Sequence, residues 1–177
     1  QWFRDSGFDL FELDEKIGFE GAGDCLLDRR GAWLWTGYGF RTEIEAHAEI
    51  QKYFDIEVIS IRLTDERLYH IDTCFCPLTD RILMNHPPAV DNESSIAIER
   101  RIPPHKRIID DTFDAGNIAC NANNNHDRVI LHRASEPLKA RLMLAGFKVH
   151  EVELTEFLKA GGSAKCLSLK LNEPVKS

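Results

Sequence analysis

Three times along this chain, two short β-type runs meet at a polar turn and are followed by a helical stretch and a further β-type run. A recurring supersecondary unit of this kind implies one α/β assembly of similar modules sharing a core. In the first round, Asp24 to Asp28 and Ala32 to Thr36 form a hairpin around Arg29-Arg30-Gly31. Thr42 to Tyr53 is then helical, with Thr42 as N-cap and Glu45 completing a capping box, and Ile56 to Arg62 is a β-branched strand. The second round pairs Tyr69 to Leu78 with Arg81 to Asn85 across Thr79-Asp80, adds a helix over Glu93 to Arg100 that stops before Pro103-Pro104, and closes with Arg107 to Ile109. The third sets Ile118 to Ala122 and Arg128 to His132 around the polar run Asn123 to Asp127, then a helix from Glu136 to Ala145 ending at Gly146, then a strand from Lys148 to Val152. Phe8 to Leu13 and Cys166 to Leu171 alternate like two further strands.

With 177 residues, the chain is long enough for a single domain over residues 1–177 with a real core. A net charge of −7 without a basic run argues against nucleic acid and suits a cationic small molecule. No apolar run reaches membrane-span length and no signal-peptide pattern opens the chain. Five cysteines without regular spacing argue against a disulfide framework, so the expected compartment is cytoplasmic. Trp2 to Gly7 reads as the last turn of a helix capped by Gly7, which marks the chain as a fragment or processed product.

Several groups could carry chemistry. On a strand, His70 and Asp72 share one face, which suits a general acid or base beside a carboxylate and equally suits two solvent-facing polar residues. Glu20-Gly21-Ala22-Gly23-Asp24 places acids at both ends of a flexible turn. They could grip a planar cation by paired hydrogen bonds, or Asp24 could simply satisfy turn amides. Arg41, at a strand-to-helix junction, could clamp a carboxylate or pair with Glu45. Cys74 and Cys76, on one side of an apolar strand, read as buried structural thiols, because Cys-x-Cys without a second spaced pair is a poor zinc signature. The neighbouring asparagines, Asn121 included, read as turn residues. Cys166 is either another core cysteine or a reactive one. Gly161-Gly162-Ser163 and the adjacent Lys165, which favours thiolate, speak for reactivity.

Glu20-Gly21-Ala22-Gly23-Asp24, Gly39-Phe40-Arg41-Thr42, His70-Ile71-Asp72-Thr73-Cys74-Phe75 and Gly161-Gly162-Ser163 before Cys166 follow one another in an order that resembles the guanidine-modifying (pentein) superfamily. Its amidinotransferase, dimethylarginine dimethylaminohydrolase and arginine deiminase branches are the ones resembled, across nearly the whole chain. The resemblance implies an α/β propeller of five ββαβ modules, of which this chain would be an incomplete C-terminal portion of about three. It implies Cys166 as nucleophile, His70 as general acid/base, Asp72 as guanidinium anchor, Glu20 or Asp24 as the remaining acidic partner, and Arg41 as holder of a substrate carboxylate. The Glu-Gly-Gly-Asp usual in the family is one residue shorter than the stretch here. The implied activity is hydrolysis of a guanidine C–N bond, in arginine or a methylated arginine, through a covalent amidino-cysteine. Transfer to an amine acceptor and a catalytically silent relative are the alternatives. No metal or organic cofactor is implied. The N-terminal modules would come from a companion fragment, an N-terminal part of the same protein, or a homo-oligomer.

Overall fold

The computed structural model describes residues 1–30 and 32–171. Gly31, in the first expected turn, lies outside the described residues. A four-residue helix α1 (Trp2–Asp5) precedes the first sheet, built from β1 (Cys25–Leu27), β2 (Trp33–Tyr38), helix α2 (Glu45–Phe54) and β3 (Glu57–Arg62). The second sheet has β4 (Phe75–Pro77), β5 (Leu83–Asn85), helix α3 (Asn92–Arg101) and β6 (Arg107–Ile109). After helix α4 (Thr112–Gly116), the third has β7 (Asn123–Asn125), β8 (Arg128–Leu131), helix α5 (Glu136–Leu144) and β9 (Lys148–Glu151), and helix α6 (Thr155–Leu158) follows. Each sheet has three strands in sequence order. The first pair is antiparallel and the second parallel, in all three cases. The connections dictate this: a tight turn reverses direction, whereas a returning helix brings the next strand in parallel.

Packing joins successive sheets. Trp35, Ile59 and Ile61 of the first sheet pack with Ile71, Phe75, Leu83, Ile98 and Ile102 of the second unit. Met84 and Ile108 pack in turn with Val129, Leu131, Leu138 and Leu142 of the third. Leu34 meets Ala46 and Ile50 beneath α2. Each such large side chain, fully buried, contributes about 1.5–3 kcal/mol. The helix termini follow local chemistry: Asp91, Asp111 and Ser135 accept from the backbone N–H three residues on.

Several expected elements differ. Phe8 to Leu13 is irregular and has no ladder partner among the described residues; Phe11 stacks on Tyr53 of α2 at 4.9 Å, while Leu10 and Phe11 both stay exposed. Thr42 does not cap α2, which starts after Ile44 with no side-chain cap. The Thr42 hydroxyl is already engaged, donating to Asp24 Oδ2 at 2.8 Å. Residues 118–120 are a turn, with Ile118 at φ +50°, Asn121 is a bend, and the strand is the asparagine run β7. The apolar character of residues 118–122 reflects burial of Ala119, Cys120 and Ala122 rather than a strand. Residues 69–74 and 166–171 are also not strands, and these two differences shape the site.

Candidate active site

His70 and Asp72 lie on a single-turn 3₁₀ segment, Ile71–Thr73, entered from His70. The turn is closed locally, with Thr73 Oγ1 donating to the His70 carbonyl at 2.6 Å and Thr73 N–H at 3.1 Å. Instead of sharing one strand face, the two side chains diverge. His70 faces the Glu20 turn, and its Nε2 lies 3.7 Å from Glu20 Oε2. Asp72 is 1% exposed and faces the Cys166 turn.

Asp24 holds these turns together. Its Oδ1 accepts the Ile71 N–H at 2.9 Å, its Oδ2 accepts the Thr42 hydroxyl at 2.8 Å, and its carbonyl accepts the Gly37 N–H at 2.8 Å. Burial pushes its carboxyl pKa up, against the opposing pull of the Ile71 N–H and the Thr42 hydroxyl. Both oxygens are thus committed to the scaffold. Glu20 is the acid of the pair that remains half-exposed and points at His70. The Gly21–Gly23 turn between them lies close against the imidazole: a Cβ on Gly23 would stand 3.1 Å from His70 Nδ1. Arg41 pairs with Glu20 at 3.7 Å, not with Glu45, and its guanidinium lies 5.2 Å from the centre of the Tyr69 ring.

Cys166 sits in a turn over residues 164–167, not on a strand. Leu167 and Leu169 are exposed, so the alternation here does not pack one face of a sheet. The backbone donors are taken by the turn and by Asn121. Its Oδ1 accepts from Ser163 N–H and Cys166 N–H, both at 3.2 Å, while its Nδ2 donates to Cys166 Sγ at 3.1 Å and to the Asp72 carbonyl at 3.3 Å. Cys166 Sγ is 3.7 Å from Asp72 Oδ2, across a sequence separation of 94. Burial, then Asp72, pushes the Cys166 thiol up, while the hydrogen bonds from Asn121 and Ser163 and the Lys165 charge pull it down. Gly161 approaches at φ +88°, where an added Cβ would run into the Tyr69 hydroxyl, so the glycine turn lies directly against the residue preceding His70.

The six sequence-predicted residues therefore fall in two contact groups, Cys166 with Asp72 and His70 with Glu20 and Arg41, and Asp24 fixes the Ile71 N–H of the turn that carries both His70 and Asp72. Asn121 was missed. It reads as one more turn asparagine in the sequence, and nothing local distinguishes it from Asn123 to Asn125. Cys74 and Cys76 are buried as expected, yet they fall in separate core clusters rather than on one side of a strand. Burial drives the Cys76 thiol up to about 11. Among the described residues, no group of three or more His, Cys, Asp or Glu side chains could hold a metal ion, and no helix is long and apolar enough to cross a membrane.

A thiol, an imidazole and carboxylates on neighbouring turns suit thiol chemistry on a cationic carbon centre. The profile of the eukaryotic N,N-dimethylarginine dimethylhydrolase family matches residues 5–172, and the chain belongs to that family. It is 56% identical over 174 residues to the bifunctional arginine dihydrolase/ornithine cyclodeaminase ArgZ of Synechocystis sp., covering 98% of this chain and 25% of ArgZ. It is 37% identical to the N(G),N(G)-dimethylarginine dimethylaminohydrolase of Mycobacterium tuberculosis, covering 86% of this chain and 49% of that protein. The crystal structure of the N-terminal domain of an asparagine-to-serine ArgZ variant, covalently bound to a reaction intermediate, superposes with a TM-score of 0.96 at 56% identity. That match covers 98% of this chain and 64% of the other. The chain thus spans from a quarter to about half the length of these curated relatives.

Proposed function

We propose that the full protein is a cysteine-dependent hydrolase that cleaves a guanidine C–N bond, with arginine as first substrate and methylated arginine as second. The observation that carries this reading is the Cys166 thiol, held by the Asn121 amide 3.7 Å from the Asp72 carboxylate, with His70, which pairs with Glu20, on the same turn as Asp72. The order of substrates follows the names of relatives: the one at 56% identity is an arginine dihydrolase, and the one at 37% a dimethylarginine dimethylaminohydrolase. The three ββαβ units are read as consecutive blades of a five-bladed pentein propeller, the rest of the site coming from elsewhere in the full protein or its assembly.

Chemistry follows from the groups present. Asp72 holds the substrate guanidinium, and Glu20 supplies the second acid. The thiol is raised at rest, so arrival of a cation beside the sulfur favours its ionisation. The thiolate attacks the guanidinium carbon, forming a C–S bond. His70 then protonates the departing nitrogen and the C–N bond breaks, leaving an amidino-cysteine. Water, losing a proton to His70, attacks the same carbon. Collapse breaks the C–S bond, restores the thiolate and leaves a ureido product. Arg41 is read as the partner of the substrate carboxylate, which it meets by exchanging its pairing with Glu20.

The test incubates full-length protein and its Cys166→Ser variant with L-arginine or dimethylarginine, and measures ureido product and released amine. Wild-type turnover that disappears in the variant supports the reading. Equal turnover by both overturns the nucleophile, and product formed solely with an added amine acceptor replaces hydrolysis by transfer.

A further inference from the structure

Lys165 precedes the nucleophile and reaches back across the site. Its Nζ lies 2.9 Å from Asp72 Oδ2 and 2.6 Å from the carbonyl of Ala22, in the turn that separates Glu20 from Asp24. The side chain is 24% exposed, and the residue forms part of the wall of a cavity of about 200 Å³ together with Cys25, Phe75, Cys76 and Pro77. Asp72 presents one oxygen to this ammonium and to Cys166 Sγ. Its other oxygen, Oδ1, is buried with no hydrogen-bond partner.

Two behaviours are open to a lysine on a ligand-binding carboxylate. It can occupy the anchor at rest and be expelled by the ligand, or it can stay. The contacts favour staying. A departing ammonium would give up the Ala22 carbonyl as well as Asp72, and the stem would have to leave a packed wall. Meanwhile the unpartnered Oδ1 already offers an acceptor to an incoming N–H, and a buried acceptor left unpaired is costly until it finds one.

We propose that Lys165 is a resident positioning cation of the site: its ammonium stays clamped between Asp72 Oδ2 and the Ala22 carbonyl throughout turnover, reserving Asp72 Oδ1 for the guanidinium and shielding the Cys166 thiolate from Asp72. The proposal rests on Cys166 as nucleophile and Asp72 as anchor. The ionisable groups bearing on the sulfur are Asp72 from the 3₁₀ turn and Lys165 from its own turn. Behind Asp72 stand Asp24 and His70, and on the cavity side Lys165 also acts on Cys25 and Cys76. Without the ammonium, a full negative charge would face the sulfur at 3.7 Å, in a partly water-excluded setting. With it, the pair is close to neutral.

The experiment follows the pH dependence of Cys166 alkylation by iodoacetamide from about pH 7 to about pH 12, since the thiol is pushed above its ordinary value, in full-length protein, read by peptide mass spectrometry and therefore independent of turnover. Lys165→Met should raise the midpoint by about one unit and lower kcat by about 10–100-fold with a smaller change in KM. Lys165→Arg should keep the midpoint near the wild-type value. Asp72→Asn should lower it, and adding Lys165→Met to Asp72→Asn should bring it back up, because the ammonium also acts directly on the sulfur. If Lys165→Met does not fold, Lys165→Gln, which removes the charge and keeps a polar end for the Ala22 carbonyl, takes its place with the same expected rise. An unchanged midpoint in Lys165→Met, or a lower KM for arginine with kcat intact, overturns the proposal; the second result would mark Lys165 as a plug. Turnover surviving in Cys166→Ser instead overturns the function beneath it, whatever the midpoints do.

Discussion

Among the described residues, two groupings of histidine, carboxylate and cysteine stand out, one at the surface turns of the candidate site and one inside the second unit. In the interior, just past the ends of β5 and β6, His86 Nδ1 lies 2.7 Å from Asp110 Oδ1, and Cys120 Sγ reaches Asp110 Oδ2 at 3.4 Å. At the surface the closest contacts of this kind are longer, 3.7 Å from His70 to Glu20 and 3.7 Å from Cys166 to Asp72. Distance alone would choose the interior group as the reactive one. Burial reverses the choice. Cys120 is fully buried, and burial followed by the Asp110 charge drives its thiol far above the ordinary range. Cys166 is exposed, carries an amide donor on its sulfur from Asn121, and has Lys165 opposite its carboxylate neighbour. A nucleophile is made by access and by donors to the charged form, and the inventory of residue types does not distinguish it from a satisfied core cluster.

The comparison breaks or holds most visibly on the two cysteines. Cys166→Ser is expected to lower kcat by about 10⁴-fold or more. Cys120→Ser, which keeps a donor for Asp110, should stay within about tenfold of wild type. Steady-state assays of both variants decide it, and the reverse ranking would move the nucleophile to the core. The histidines come next. His70→Gln should cost about 10²–10⁴-fold in turnover through loss of the proton donor. His86→Gln should instead leave kcat/KM near wild type and lower unfolding stability by about 1–3 kcal/mol, measured by denaturant melts, because Asp110 would lose its buried partner. Asn121→Ala should do both in moderation: it removes the donor to Cys166 Sγ and the acceptor for Ser163 and Cys166 N–H. A loss of about 10–100-fold in kcat, together with about 1–3 kcal/mol of stability, is expected from kinetics and melts on the same preparation.

The smallest effect concerns His47, which is buried on α2 with the Ser60 hydroxyl at 2.7 Å and no carboxylate in contact. Burial lowers its pKa from 6.5. The unfolded chain then binds more protons between the lowered value and 6.5, so stability rises with pH across that window and is complete above it. Melting temperatures taken on the acid side of 6.5 and above it should show a rising component that His47→Gln removes. A falling component would contradict the assignment of burial as its cause.

The three sheet-and-helix units are legible in local pattern. Ile59 and Ile61 alternate with exposed neighbours on β3, and the stops at Pro103-Pro104 and Gly146 fall where α3 and α5 end within a residue or two. The failures share one cause. Phe8 to Leu13, Ile118 to Ala122 and Cys166 to Leu171 carry strand-like composition, but a strand also needs a partner for its backbone groups, and composition does not reveal whether one is present. For Cys166 the N–H is taken by an asparagine side chain 45 residues earlier in the chain. His70 and Asp72 were legible as chemistry yet misplaced as geometry, since a 3₁₀ turn sends them to different neighbours and a strand would not.

By itself the sequence determined the repeated order of elements, the family and the candidate site residues, because periodicity, turn chemistry and motif order are properties of neighbours in the chain. The tertiary structure decided which donors each acid meets. Asp24 and Glu20 are four residues apart and chemically alike, yet Asp24 has both oxygens occupied by Ile71 and Thr42 while Glu20 is left to His70. It likewise made Asn121 part of the site and placed Lys165 on Asp72. A carboxylate's role depends on which donors reach its lone pairs and how much water remains around it, and both are set by segments that meet only once the chain has folded.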